Sequence, residues 1–327
     1  MQRSVVIFRA LQLGDMLCAV PALRAIRGGY PDARIVLIGL PWASELVRRY
    51  PAYLDGFIDF PGYPGLPEQS PRAGEWPRFL GEVTARPWDL ALQMHGSGVI
   101  SNWIVSAIPA RRTVGFGLGG LRYVDAGHEI HRLRRLTDHL GVAWRGDGLE
   151  FPLTQTDREK CARLTGTALG AARYACLHPG ARSGDHWPVE RFAQVGAALE
   201  ARGLRVVVTG TAEEGHLARA IARRMGHSTV DLTGRTTLGV LGACLAGAAV
   251  LVSNDTGVGH MATALGVPSV LLFAPAQRER WEPLDRARHR VLAPGWDVSA
   301  GTVLETIDAL GVVPASRAAA PTVGSGA

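Results

Sequence analysis

Along this chain, short runs of β-branched and aliphatic residues alternate with longer stretches in which apolar positions recur every three or four residues. In the first half, residues 4–10 (SVVIFRA), 33–40 (ARIVLIGL), 56–61 (GFIDFP) and 88–96 (WDLALQMHG) read as strands. Residues 14–31 read as a loop and then a helix, and 42–50 open another. The second half restarts the same grammar. Strands are expected at 172–180, 204–210, 248–255 and finally 268–275, with helices at 188–203, 213–225 and 256–266. This alternation predicts an α/β protein with an open parallel sheet in each half. Residues 61–75, rich in glycine and proline, predict an exposed loop. Residues 145–157 lack helical periodicity and carry turn residues. They divide the chain into a domain over 1–150 and a second over 151–313, followed by a small-residue tail over 314–327 that is expected to be disordered.

Composition narrows the classes. A chain of 327 residues can build two hydrophobic cores. Its apolar runs break after about ten residues, too few to cross a bilayer. The N-terminus lacks the longer apolar stretch and small-residue cleavage site of a signal peptide, so it reads as a first strand. Cys18, Cys161, Cys176 and Cys244 make neither a zinc spacing nor a disulfide framework, which fits a reducing cytoplasm. The net charge of +6 is carried almost wholly by arginine, since Lys160 is the only lysine. Such a chain suits anionic partners: nucleotide phosphates, acidic glycans or a negatively charged membrane face. It shows no basic stripe interleaved with aromatics and no nucleic-acid motif, so nucleic acid is not an expected partner.

In an open α/β sheet ligands bind beyond the carboxyl ends of the strands, so the segments just after strands carry the candidate chemistry. SNDTGVGH (253–260) follows an apolar strand and opens a helix. Ser253, Asn254, Asp255 and Thr256 are all capping types, and Gly257 and Gly259 let a ligand approach the backbone. The string fits a helix N-terminus that holds a phosphate, and equally a capped turn with packing glycines. HPGARSGDHWP (178–188) leaves a second strand. There Arg182 can donate to a phosphate, or the loop can merely cap the next helix. TGTAEEGH (209–216) places Glu214 in a first helical turn, where it either complements the helix dipole or accepts from ribose hydroxyls. Three such turns at one sheet edge are better explained by a nucleotide site than by three unrelated caps.

In the first half, Asp15 follows the first strand. It is either the cap of a helix beginning near Met16 or a carboxylate placed to take a proton. His95 and Ser97, after the strand at 88–96, are candidates for acceptor contact or for shaping the site. Trp42, Trp76, Trp88 and Trp103 can stack on sugars or pack in a core. No Asp-x-Asp metal pair occurs.

These residues carry a resemblance. VSNDTGVGHMATALGVPSVLLF (252–273) resembles the donor-binding signature of glycosyltransferase family 9, the bacterial heptosyltransferases. LHPGAR and HWP (177–188) resemble the nucleotide-sugar loop that precedes it. RALQLGDMLCAVPALRAIRGGYPDARIVLIG (9–39), with Gly14-Asp15 and then Pro21-Ala22-Leu23, is similar to the family's opening, and LQMHGSG (92–98) to a further recurrent stretch. The resemblance runs to about residue 295.

The resemblance implies a GT-B fold: two Rossmann-like domains whose parallel sheets face an inter-domain cleft, acceptor site in the first and donor site in the second. It implies inverting transfer of a sugar from an ADP-linked donor, a heptose by family habit, onto a glycan, glycolipid or small-molecule hydroxyl. Neither metal nor cofactor is implied. By motif position Asp15 is the general base, with Gly14, His95 and Ser97 toward the acceptor. Gly180, Ala181, Arg182, Glu214, Asp255, Thr256, Gly257 and His260 fall to the donor. One departure stands out: Asp185 occupies the position before the Trp-Pro pair where the family usually has a lysine or arginine, and Arg182 or His186 would have to compensate. A sugar-nucleotide epimerase and a non-catalytic nucleotide-sugar binder stay open as rivals. A cytoplasmic location is expected, with peripheral contact at the inner membrane face left open.

Overall fold

Val5 through Phe8 and Ile35 through Ile38 are all buried. Runs that are apolar at every position have no face to leave in water, so they form the inner strands of parallel sheets covered on both sides. The computed structural model describes residues 3–181, 186–226 and 229–313 and contains two such sheets. The expected tail over 314–327 lies outside the described residues. The chain forms two compact units: Met1–Leu153 with Ala276–Leu284, and Thr154–Pro275 with Asp285–Ala327.

The first unit holds β1 (Ser4–Phe8), β2 (Arg34–Gly39), β3 (Gly56–Asp59), β4 (Trp88–Gln93) and β5 (Ala110–Gly115), all parallel, in the order β3-β2-β1-β4-β5. The sheet grows outward from β1 on one side and from β4 on the other. Its topological switch point therefore lies between β1 and β4, where ligands bind in folds of this build. The glycine- and proline-rich segment at 61–75 is not simply an exposed loop. Tyr63, Leu66 and Trp76 pack against a core built from Phe8, Phe60 and Phe79, and the Gln12 side chain donates to the Glu68 carbonyl at 3.4 Å. Trp88 lies in that core, Trp42 packs on it, and Trp103 stands 75% exposed.

The second unit holds β6 (Tyr174–His178), β7 (Arg205–Val208), β8 (Val230–Asp231), β9 (Val250–Asn254), β10 (Ser269–Leu272) and β11 (His289–Leu292). They are parallel in the order β11-β10-β9-β6-β7-β8, so this switch point lies between β6 and β9. The strand at 268–275 is not the last. After β10 the chain joins the first unit over Ala276–Leu284, then returns to add β11 at the sheet edge. The sheet's core is closed by Trp187 and Phe192, rings 4.8 Å apart and edge to face, with the Trp187 indole donating to the Val298 carbonyl at 2.8 Å. All four cysteines are buried thiols.

The stretch expected to be a linker ends in a helix. Thr154 caps Gln155–Leu169, accepting from the Asp157 backbone at 3.1 Å while the Asp157 carboxylate accepts from the Thr154 backbone at 3.0 Å. Thr154→Ala should lower stability by about 1 kcal/mol, read as a fall in urea midpoint at constant slope. An unchanged midpoint would show that this helix is held by packing alone.

Candidate functional site

In each unit the residues after the two central strands converge at the switch point. In the first, the helix Leu13–Cys18 begins five residues past β1, with Gln12 at its N-terminal flank and Asp15 inside its first turn. Asp15 is therefore not the cap; its side chain is not used to start the helix. Burial raises its pKa, Arg9 opposes that, Glu129 adds to it, and Arg280 and a backbone hydrogen bond from Gln12 oppose it again. The net shift is upward, which suits a carboxylate that must take a proton near neutrality.

Arg9 organises this corner. Its side chain is 1% exposed. Nε and Nη2 donate to the Asp15 carbonyl at 3.2 and 2.8 Å, Nη1 donates to the Met94 carbonyl, and Nη2 also donates to Glu129 at 3.2 Å. One guanidinium thus ties the end of β1, the Asp15 helix, the end of β4 and the helix Glu129–His139 together. Glu129 also accepts from Arg132, and lies 3.1 Å from Nη2 of Arg280. Burial would raise the Glu129 pKa, but Arg9, Arg280 and Arg132 together hold it below the usual range.

His95 follows β4. Its Nδ1 accepts from the Ala10 backbone at 3.3 Å, which leaves the proton on Nε2, 3.7 Å from the Glu68 carboxylate. Burial, with Arg9 second, pushes its pKa down to about 4, so the ring is neutral at physiological pH. It stacks on Phe8 at 5.3 Å. His95 is thus a fixed neutral ring held between the Ala10 backbone and Phe8. Gly14 lies beside Asp15 in the helix, and Ser97 is half-buried two residues beyond His95.

In the second unit, Asn254 at the end of β9 binds the loop after β6 from both sides. Its Nδ2 donates to the Pro179 carbonyl at 2.7 Å, and its Oδ1 accepts from the Trp187 backbone at 3.1 Å. The Glu214 carboxylate accepts from the Thr211 backbone at 2.7 Å and lies where a Cβ on Gly180 would collide with it. A Cβ on Gly210 would come within 2.9 Å of the same carboxylate. At both places the absent Cβ leaves room for the Glu214 carboxylate, which lies against the segments after β6 and β7. Ala181 is half-buried beside Gly180; Arg182 and Asp185 lie outside the described residues.

Thr256 caps the helix Gly257–Leu265, its hydroxyl accepting from Val258 at 3.3 Å. Gly259 packs on Leu271 of β10, where a Cβ would stand 3.1 Å from a methyl, so it serves packing. Gly257 is the first residue of the helix, and His260 is buried one turn in. Asp255, between β9 and the cap, has its pKa raised by burial to about 7. Near neutrality it is a carboxylic acid for much of the time, able to donate to an anionic oxygen.

A family model for glycosyltransferase family 9 (heptosyltransferase) matches residues 77–300, more than half of the chain. This chain belongs to that family. It is 31% identical over 296 residues to lipopolysaccharide heptosyltransferase 1 of Escherichia coli strain K12, covering 83% of this chain and 88% of that one. Among solved structures it is similar to a family 9 glycosyltransferase of Veillonella parvula, at TM-score 0.80 and 20% identity over 94% of this chain and 97% of the other. The E. coli ADP-heptose lipopolysaccharide heptosyltransferase II follows at TM-score 0.75 and 21% identity, over 95% and 98%. The fold is GT-B.

For this glycosyltransferase the motif residues alone do not make the sites. Arg9, Glu129 and Arg280 were not singled out in the sequence, and Asn254, expected only as a capping type, instead bridges Pro179 and Trp187. Arg9 and Asn254 lie inside or beside the motifs, but their partners are 120 and 75 positions away. Glu129 and Arg280 carry no local signal.

Because the folded pKa of Asp255 lies above its unfolded value of 3.8, its charge costs stability as pH rises from about 4 through about 7. Asp255→Asn should raise the melting temperature more at pH 8 than at pH 5. An equal change at both pH values would show that the acid is not held neutral in the fold.

Proposed function

We propose that this glycosyltransferase moves a heptose from ADP-heptose to a hydroxyl of a lipopolysaccharide-type glycan, inverting the anomeric centre without a metal. The donor and acceptor come from what its relatives are called: lipopolysaccharide heptosyltransferase and ADP-heptose heptosyltransferase. The observation that carries the reading is the pairing of two differently built switch points. One holds a carboxylate with an elevated pKa, and the other holds a capped helix N-terminus beside an acid whose pKa burial raises to about 7.

In this reading the first unit binds the acceptor. Asp15 accepts the proton of the attacking hydroxyl as the oxygen bonds to the anomeric carbon. Gly14, His95 and Ser97 shape the acceptor's surroundings. The second unit binds the donor. Glu214, seated against Gly180, accepts from the ribose hydroxyls, Ala181 faces the phosphates, and Arg182 is assigned as their guanidinium donor. The diphosphate leaves with its negative charge at the amino end of Gly257–Leu265, where Thr256, Gly257, His260 and the protonated Asp255 receive it. Dipoles and donors of this kind stabilise a leaving diphosphate without a divalent ion. A single displacement with one base inverts the sugar's configuration. No helix among the described residues is long and apolar enough to cross a membrane, so a lipid-linked acceptor would be met by peripheral contact with the inner face.

Two outcomes follow. ADP should protect backbone amides at 254–262 and 179–181 from hydrogen exchange, and protection confined to the first unit would reverse the assignment of the two. Asp15→Asn should lower kcat about 10²–10⁴-fold with donor affinity and melting temperature nearly unchanged, all measured in excess EDTA. Near-normal turnover of the variant would sink the base, and loss of wild-type turnover in EDTA would sink metal independence.

A further inference from the structure

We propose that Glu129 and Arg280 are positioning residues for Asp15, Glu129 by holding Arg9 against it and Arg280 by the positive charge it sets beside it. The inference rests on the reading of Asp15 as the base. It goes beyond the motif residues, because neither Glu129 nor Arg280 lies in any of them.

The geometry runs in one direction. Arg9 spends two donors on the Asp15 carbonyl and one on Met94, and so fixes where the Asp15 helix starts relative to β4. A guanidinium 1% exposed has to meet a carboxylate, and Glu129, itself 3% exposed, is the one it meets. Glu129 in turn is shared. Oε2 accepts from Arg132, one helical turn on, and from Nε of Arg280 at 3.2 Å. Arg280 is carried to this corner by Ala276–Leu284, the only stretch after Leu153 that belongs to the first unit. That stretch is pinned on both sides of Arg280. The Glu279 carboxylate accepts from the Gly127 backbone at 3.2 Å, and the Glu282 carbonyl lies 2.9 Å from Nε2 of His128. The Trp281 ring stacks under the Arg280 guanidinium at 4.8 Å.

Charge gives the cluster its purpose. The groups facing Asp15 are Arg9 after β1, Glu129 on its helix, Arg280 on the returning segment and the Cys18 thiol on Asp15's own helix. Arg132 faces Glu129 from the far side. Arg9 and Arg280 against Glu129 leave one surplus positive charge facing Asp15, a carboxylate whose pKa burial raises, while Arg132 is taken up by Glu129 and Asp125. Arg280 is the adjustable member. It is 32% exposed, whereas Arg9 and Arg132 are sealed in. Its loss removes a positive charge without opening a core. Glu129 is the member that keeps the arginines aimed.

Arg280→Gln, Arg280→Lys and Glu129→Gln, each measured as kcat and KM against pH beside melting temperature, test this. Removing the Arg280 charge makes Asp15 easier to protonate. The acid limb of kcat/KM should therefore move to higher pH by about half a unit or more, a threefold or larger loss below the limb. Donor KM and melting temperature should hold. Arg280→Lys should restore the limb, because it restores the charge. Glu129→Gln should lower kcat about tenfold or more with donor KM unchanged. An Arg280→Gln profile that superimposes on wild type, or a Glu129→Gln enzyme that loses melting temperature but not kcat, would overturn the proposal. Asp15→Asn run alongside separates the two readings. If that variant turns over normally, the base assignment has failed and this inference with it. If Asp15→Asn is inactive while Arg280→Gln is unshifted, only the positioning role has failed.

Discussion

A guanidinium almost sealed from water is the constraint on which the first unit's site depends. Arg9 leaves the end of β1 inside the protein, and every acceptor it reaches comes from a different element. Desolvating such a group without partners would cost several kcal/mol. The positions of the Asp15 helix, the end of β4 and the Glu129 helix are therefore not independent of one another. A site built this way is rigid because displacing any one element strands a buried charge. The second unit reaches the same end without a buried ion pair among these residues. There a neutral amide, Asn254, spans two segments, and two glycines admit the Glu214 carboxylate. The difference suits what each unit is proposed to hold: a proton acceptor needs a tuned field, whereas a diphosphate needs open backbone and donors.

Much of the architecture was legible in the residues. Apolar runs such as VVIF and VLIG could only be covered strands, and turn residues placed their ends within a few positions. Capping residues located the helix after β9, although which of four would cap was decided by geometry, in favour of Thr256. The elements not expected from the sequence include two apolar helices, Leu238–Ala246 and Ala300–Leu310, and three strands with weak signatures. β5 carries Arg111 and Arg112 at a sheet edge, β8 is two residues long, and β11 comes after the chain has left its own unit. The Thr154 and Asp157 capping box lies at the end of the expected linker, where a lack of helical periodicity hides the helix it starts.

The candidate site divides in the same way. Residues that touch ligand in the proposed reading lie in short strings after strands, where local chemistry marks them. Apart from Arg9, the charged groups around Asp15 lie far away in sequence, since a charge acts through space and needs no neighbouring motif. His95 shows how the two combine. Its position after β4 was evident, but its neutrality follows from the Ala10 backbone, burial and Arg9, none of which the string HGSG encodes.

The return of Ala276–Leu284 to the first unit bears on how the protein is made. A ribosome releases Met1–Leu153 long before it reaches residue 276. Through that interval the amino-terminal unit can close its sheet, yet Glu129 waits for Arg280, and the Gly127 backbone waits for Glu279. The emerging amino-terminal half is thus a nearly complete domain with its most polar corner unfinished. A gene fragment ending at residue 153 would lack the Glu279 and Arg280 contacts to the Gly127 backbone and Glu129. The unit's final piece is supplied by chain that must first have passed through β10 of the other sheet.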